Sequence, residues 1–483
     1  MHMAAERLRR FEARAFRIGD LLMHLAHTCL LVFAAGVIAC GDASDPVQVP
    51  PPPPSGTTVV VNLAVRHQTM TGWQANEQAG HYEPGWAQWR DEVLDRATAD
   101  GINRIRVDVR SGWENPRDSF SEWLSGSITD SEWRCRRYAT VNDNTNPGVI
   151  DMSRFSFGEL DTAMVRVVVP FRQRLQARGE VLGLTMTYVA FTSQTCGGGE
   201  YHHTEPAEYA EFAVAVMNHL RDRFGVVPDT WEVINEPDNT VGVWSVARIQ
   251  AALIALDSRL TQAGYQTAII APSYSSAAQA LNSAQTLLAS PAAGVIDQIG
   301  YHRYDGPNEA TVHALGNAAA ARGISTAMTE HIASGFDDLI TDVTIGRASS
   351  WEQFSLAFPG TDNGAHYYYI AGSTVVTGER TKYLRHYFRH VRRGAVRVDA
   401  TSISPEIVPV AFRNTNGRVA VVMKYNSAGR YTVGGLPPGR YGIGFESEAT
   451  SDGTLPDVTV SSDGVATLEL QSRGVVVIYG RSG

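Results

Sequence analysis

Hydrophobic positions along the chain alternate between two spacings. Short segments with apolar residues on alternate or consecutive positions read as strands, and longer ones with apolar residues every three or four read as helices. "TMTGWQAN" (69–76) reads as a short strand. "GWAQWRDEVLDRATADG" (85–101) has helical spacing and a closing glycine. "INRIRVDVR" (102–110) alternates as a strand should, and a polar, tryptophan-dotted insertion follows from Ser111 to about Ser156. "FGELDTAMVRVVVPFRQRLQARG" (157–179) is helical, with Pro170 forcing a kink or a restart. Strands are then predicted at 181–191, 230–235, 266–273, 296–304, 324–330 and 350–358. Each is trailed by a helical segment, at 206–225, 244–264, 276–290, 308–323, beyond Gly335 and at 381–391.

Strand–helix alternation predicts a parallel sheet. Eight such units in about 330 residues predict a (β/α)8 TIM barrel, placed at 59–393. A doubly wound sheet would need a glycine-rich phosphate turn after its first strand, and "GWQANEQAG" is not one. From Gly394 the texture changes to short alternating strands, with a hairpin signal at Asn416-Gly417. Residues 394–483 are expected to form a β-sandwich of seven or more strands, without a compact cluster of titratable residues.

The N-terminus has a different pattern again. Five arginines between Arg7 and Arg17 precede the apolar run "LLVFAAGVIA" (30–39). That length suits a signal peptide and is short for a membrane span. The run ends at "VIAC", which resembles the lipobox of bacterial lipoproteins. Residues 1–39 are therefore expected to be cleaved and Cys40 to carry lipid. This would make the protein an exported cell-surface or periplasmic lipoprotein, with ordinary secretion as the other reading. Residues 40–58 include Pro50–Pro54, a polyproline II spacer. Removing 1–39, which carry a net +2, takes the formal charge from −9 to −11. Only Lys382 and Lys424 are lysines, so no polybasic tract for nucleic acid is present. Cys135 and Cys196 remain in the processed chain, and an oxidising compartment allows a disulfide between them.

Active groups of such barrels lie at the C-terminal ends of the strands. Barrel strand two carries Arg106 and Asp108, strand three ends near Tyr188, and strand four ends on Asn235-Glu236. Strand six ends on His302 and Tyr304, strand seven on Glu330, and strand eight offers Trp351 and Gln353. Two carboxylates facing across one mouth are what glycosidic bond cleavage needs. Their mutual repulsion drives their proton affinities apart, which separates an acid from a nucleophile.

"INEP", then "TE" at a strand end about ninety residues later, resembles the retaining glycoside hydrolases of clan A. "GYHRY" is similar to that clan's His-x-Tyr, and "YFRHVRRGAVRVDATS" (387–402) to the barrel-to-sandwich junction of glycoside hydrolase family 30. Families 39 and 5 are neighbours. The chain departs from family 30 at "MTYVAF", which lacks a tryptophan- and proline-rich segment, and at "GWQAN", where Gly-Phe-Gly is usual.

The resemblance implies Glu236 as acid/base and Glu330 as nucleophile. It implies Asn235 on the sugar 2-hydroxyl, Arg106 and Tyr304 orienting Glu330, and His302 and Trp351 lining the sugar subsite. It implies a carbohydrate substrate and no cofactor. No metal is expected, and His202-His203 reads as a solvated loop pair. Trp113, Trp123 and Trp133 read as either a sugar-stacking rim or a local core. The competing class is a non-catalytic carbohydrate-binding lipoprotein on the same barrel, but a pure binding site gains little from two facing carboxylates.

Overall fold

A computed structural model describes residues 58–481 apart from 192–193, 195–201 and 241. The predicted leader, Cys40 and the proline-rich spacer up to Thr57 lie outside the described residues, as does Cys196. Among the described residues no helix is long and apolar enough to cross a membrane.

The chain enters on β1 (Val59–Thr69) and then builds eight parallel strands. These are β2 (Gly72–Asn76), β3 (Arg104–Arg110), β4 (Gly183–Val189), β5 (Thr230–Glu232), β6 (Ala268–Tyr274), β7 (Gln298–His302), β8 (Ser325–Glu330) and β9 (Ala348–Pro359). Each pairs with the next, and β9 also pairs with β2, so the barrel closes without a free edge. The helices cover its outer wall. In the helix Pro206–Phe224, proline sits in the first turn and Gly225 closes the end in a left-handed conformation. Its buried face carries Tyr209, Phe212, Val216, Met217 and Leu220. Pro170 does restart its helix: a π-helical turn at Met164–Val168 leads into Val169–Ala177.

Period-two alternation in the barrel strands runs polar-in and apolar-out. In "RIRVDVR" the apolar Ile105, Val107 and Val109 pack under the helices. Arg104 instead points inward, where its guanidinium donates to Gln74, Thr185 and Thr230. Thr185 and Thr187 on β4, and Thr230 and Glu232 on β5, follow the same rule. The barrel interior is therefore a stack of hydrogen-bonded polar layers. Such groups are tolerated in a core only when they are paired.

The last eight strands are β12 (Val396–Ser402), β13 (Ile407–Arg413), β14 (Val419–Tyr425), β15 (Gly429–Gly434), β16 (Gly439–Ser447), β17 (Gly453–Val460), β18 (Ala466–Leu470) and β19 (Gly474–Gly480). With β1 they make one nine-stranded sheet. Its alternation separates two cores. Val410, Phe412, Ala420, Val422, Val475 and Val477 join the barrel's core, while Ala411, Val421, Met423, Val476 and Ile478 form the sheet's own.

Two features correct the expected boundaries. Residues 59–69 were assigned to the barrel, but β1 pairs antiparallel with β12 and parallel with β15. The barrel begins at Gly72. Between β9 and the closing helix Glu379–His390 lies an unforeseen hairpin, β10 (His366–Ala371) and β11 (Thr374–Thr377). It extends the barrel sheet beyond β9, and the Tyr367 hydroxyl, buried beneath it, donates to the Gln74 carbonyl.

Gly101 ends the helix Trp86–Asp100 at φ 100°, and a Cβ there would lie 2.3 Å from the Phe388 backbone. Gly225 has φ 60° with open space around its Cβ position. Gly101→Ala should therefore cost about 3 kcal/mol or more, against about 1 kcal/mol for Gly225→Ala, read from urea unfolding midpoints.

Candidate active site

Two arginines on β3 set the polar layers, and the upper one reaches the mouth. Arg106 is wholly buried and donates in four directions. Its Nε reaches Thr187 Oγ1 (2.9 Å) and Glu232 Oε2 (3.1 Å). One terminal nitrogen reaches Glu330 Oε2 (2.7 Å) and the other Asn235 Oδ1 (2.6 Å). Burial works against its charge, but Glu232, Glu330 and Glu352 hold it fully protonated.

The two predicted glutamates meet at the C-terminal end of the barrel. One side-chain ligand atom each of Glu236, His302 and Glu330 lie within 4.8 Å of one another. Glu330 ends β8, and its other oxygen accepts the Tyr304 hydroxyl at 2.9 Å. Glu236 follows β5 in a left-handed conformation (φ 48°), just before Pro237. Such a backbone costs a non-glycine residue about 1–3 kcal/mol and survives where its surroundings enforce it. Here the Glu236 amide donates to the Ser273 carbonyl. Its carboxylate meets His302 Nδ1 (3.0 Å) and accepts Asn239 Nδ2 (2.6 Å). Strand pairing stops at Glu232, earlier than the predicted 235.

The electrostatics divide the three groups. Burial pushes the Glu330 carboxyl up. Arg106 and His302 oppose it, Glu236 adds to it, and the result stays above the ordinary value. Burial also pushes Glu236 up, but the hydrogen bond and charge of His302, with help from Asn239 and Arg106, hold it below its ordinary value. Burial would discharge His302, yet its bond to Glu236 and the charges of Glu330 and Glu236 keep it above the usual imidazole value. The two shifts favour the imidazole side for a proton held in the Glu236–His302 hydrogen bond. The cluster is close enough to embrace a cation, but Arg106 already sets a positive charge against Glu330.

Of the residues proposed from sequence, Arg106, Asn235, Glu236, His302, Tyr304 and Glu330 come together, and Trp351 does not. Trp351 is fully buried on the helix side of β9, where its indole donates to Asp342 Oδ2 (2.9 Å) and packs near Phe388. The inward residue of that pair is Glu352, which accepts Gln74 Nε2 (2.5 Å). Burial drives its carboxyl well above the usual range, against the pull of Arg106. Glu232 and Glu352 escaped sequence reasoning. Alternation along "TWEVIN" and "SWEQF" was the available signal, since Trp231 and Trp351 face out.

His203 is not solvated. It is buried between the Tyr188 hydroxyl and Glu114. The insertion tryptophans divide. Trp113 and Trp133 are buried, and half-buried Trp123 stacks on Trp133 at 4.3 Å. Trp123 and Trp133 also line a cleft of about 250 Å3 with Glu77, Arg110 and Phe358. Cys135, in the same insertion, is disulfide-bonded.

The closed eight-stranded barrel with its appended β-sheet unit is the fold seen in solved glycoside hydrolases of family 30. The catalytic domain of a family 30 xylanase from Talaromyces cellulolyticus superposes with a TM-score of 0.64 at 16% identity, covering 88% of this chain and 100% of that one. An endo-β1,6-glucanase gives 0.61 at 15%, covering 88% and 95%. A conserved exported protein from Bacteroides fragilis gives 0.64 at 12%, covering 88% and 100%. No protein-family model and no curated protein matches the chain.

Trp351→Phe strips one donor from buried Asp342. It should lower unfolding stability by about 1–3 kcal/mol and leave oligosaccharide affinity unchanged. Weakened affinity at unchanged stability would return Trp351 to the mouth.

Proposed function

We propose that the protein is a retaining β-glycosidase of clan A, closest in build to family 30. It would hydrolyse O-glycosidic bonds in a β-linked poly- or oligosaccharide by double displacement. The observation that carries this reading is the span within 4.8 Å between Glu236 and Glu330 oxygens, with Arg106 and Tyr304 aimed at Glu330. Carboxyl groups about 5–5.5 Å apart suit direct attack on the anomeric carbon, whereas inversion needs about 6.5–9.5 Å for an intervening water.

Glu330 attacks as a carboxylate, oriented by its two donors. Glu236 gives the leaving oxygen the proton it shares with His302, then accepts one from water in the second step. Asn235, fixed by Arg106, presents its amide to the sugar 2-hydroxyl. The xylanases and the β1,6-glucanase of the same fold suggest a neutral β-glycan as substrate. The leader and Cys40 would export the enzyme and anchor it by lipid, with 40–58 as spacer.

Glu236→Gln should lower kcat by on the order of 10²–10⁴ on aryl β-glycosides and β-glycans, and Glu330→Gln by at least as much. Proton NMR should find the β-anomer as first product of the wild type. An early α-anomer means inversion. A wild type that binds glycan without cleaving any of the panel means a binding protein.

The pH profile has a defined sign. Activity requires ionised Glu330, so kcat/KM falls as pH drops through a Glu330 value above 4.5. It falls again as the proton shared with His302 is lost, above pH 6.5. Tyr304→Phe removes a donor to the Glu330 carboxylate, raises its proton affinity and should move the acid limb to higher pH. A limb that stays in place or moves down would sever Tyr304 from Glu330.

A further inference from the structure

A second group of acids lies apart from the mouth pair, between the insertion after β3 and the helix after β4. One oxygen each of Asp143, Glu208 and Glu211 lie within 4.8 Å of one another. Glu208 and Glu211 stand three residues apart on the helix Pro206–Phe224, so they share a face. Asp143 comes from the insertion and is fixed there. Its amide donates to Glu114 Oε1 (2.8 Å), and its Oδ2 accepts the Asp151 amide (2.6 Å). Glu114 is in turn tied to buried His203.

Acidic clusters are common on surfaces, but this one is partly enclosed, with Asp143 and Glu208 half-buried and Glu211 buried. Glu211 is only 2% exposed. Its Oε1 is buried and has no hydrogen-bond partner, although it faces two other carboxylates. Glu208 Oε2, Asp143 Oδ1 and the adjacent Asn142 Oδ1 are likewise buried and unpartnered. Among the described residues no arginine, lysine or histidine forms a salt bridge with any of the three acids. Burial, the neighbouring Asp143 and Glu208 charges and a side-chain hydrogen bond with Glu208 push the Glu211 carboxyl up to about 8.

Oxygens that ligate one Ca2+ at about 2.4 Å lie no more than about 4.8 Å apart, a limit these three oxygens meet. An all-oxygen, carboxylate-rich set without sulfur or imidazole favours a hard cation. Magnesium, which keeps most of its water, is served less well by three clustered carboxylates.

We propose that Asp143, Glu208 and Glu211 bind a calcium ion, which fastens the insertion after β3 to the helix after β4. Both segments follow C-terminal strand ends, so the ion would brace two loops at the mouth end of the barrel. This departs from the expectation that the chain holds no metal, and it stands whether or not the protein is a glycosidase.

Calcium titration of the full-length processed protein, by calorimetry and thermal unfolding in chelated buffer, tests it. Saturating calcium should raise the unfolding temperature by about 5 °C or more. Glu211→Gln and Asp143→Asn should each weaken binding at least tenfold. In chelator, Glu211→Gln should melt no lower than the wild type, because a buried titratable carboxyl gives way to a neutral amide of the same shape. Asp143→Asn, on a half-buried loop, keeps the test open if Glu211→Gln folds poorly. No heat of binding and no thermal shift with 5 mM calcium would overturn the proposal, and so would both variants responding as the wild type does.

Discussion

The site depends on a single buried positive charge. Arg106 sits where water cannot reach it, and an unpaired guanidinium there would be prohibitively costly. Glu232, Glu330, Asn235 and Thr187 meet that cost, and each is thereby fixed in direction. The arrangement divides Arg106 between two acids with different standing. Glu232 is fully enclosed and, despite burial, held below its ordinary proton affinity, chiefly by Arg106. Glu330 shares the same cation but opens to the mouth and stays above its ordinary value. One cation thus serves a permanently charged partner below and an adjustable one above.

His302 plays the matching part on the other wall. Its Nδ1 lies 3.0 Å from the Glu236 carboxylate, and its Nε2 is buried without a partner. The αL backbone at Glu236 turns the carboxylate out of the strand path and into reach of that imidazole. Proline at 237 and the Asn239 amide then keep it there. A residue that ended β5 in regular strand geometry would alternate between barrel interior and helix layer. Departure from the strand is what places Glu236 over the opening.

The sequence made the barrel legible because its strands and helices repeat with clear periods, and the mouth legible because six polar residues fell at strand ends. The failures have physical causes. Trp351 is placed in the mouth by the family resemblance, while alternation with Glu352 assigns it to the helix layer. Glu232 and Glu352 were overlooked because charged residues are not expected inside a barrel, yet this one is lined with polar layers. His203 looked exposed in a loop rich in polar and glycine residues, but Glu114, ninety positions earlier, supplies a buried partner. Residues 59–69 are counted with the barrel although no strand is read at 59–68, and periodicity says nothing about which sheet takes a segment up.

That misplaced strand has a consequence for how the chain matures. β1 leads directly into the barrel, but its partner β12 lies more than 300 positions later in the sequence. The barrel can therefore form its own ring while the strand that precedes it still has nothing to pair with. Closing loops of that size is slow and leaves an unpaired edge exposed meanwhile. Pairing β1 with β12 joins the segment that enters the barrel to the one that leaves it. The apolar stripe of Val410, Phe412, Val422 and Val477 is covered only when that final sheet settles on the barrel helices. The sheet is in this sense a latch, and the protein becomes a single body when the latch closes.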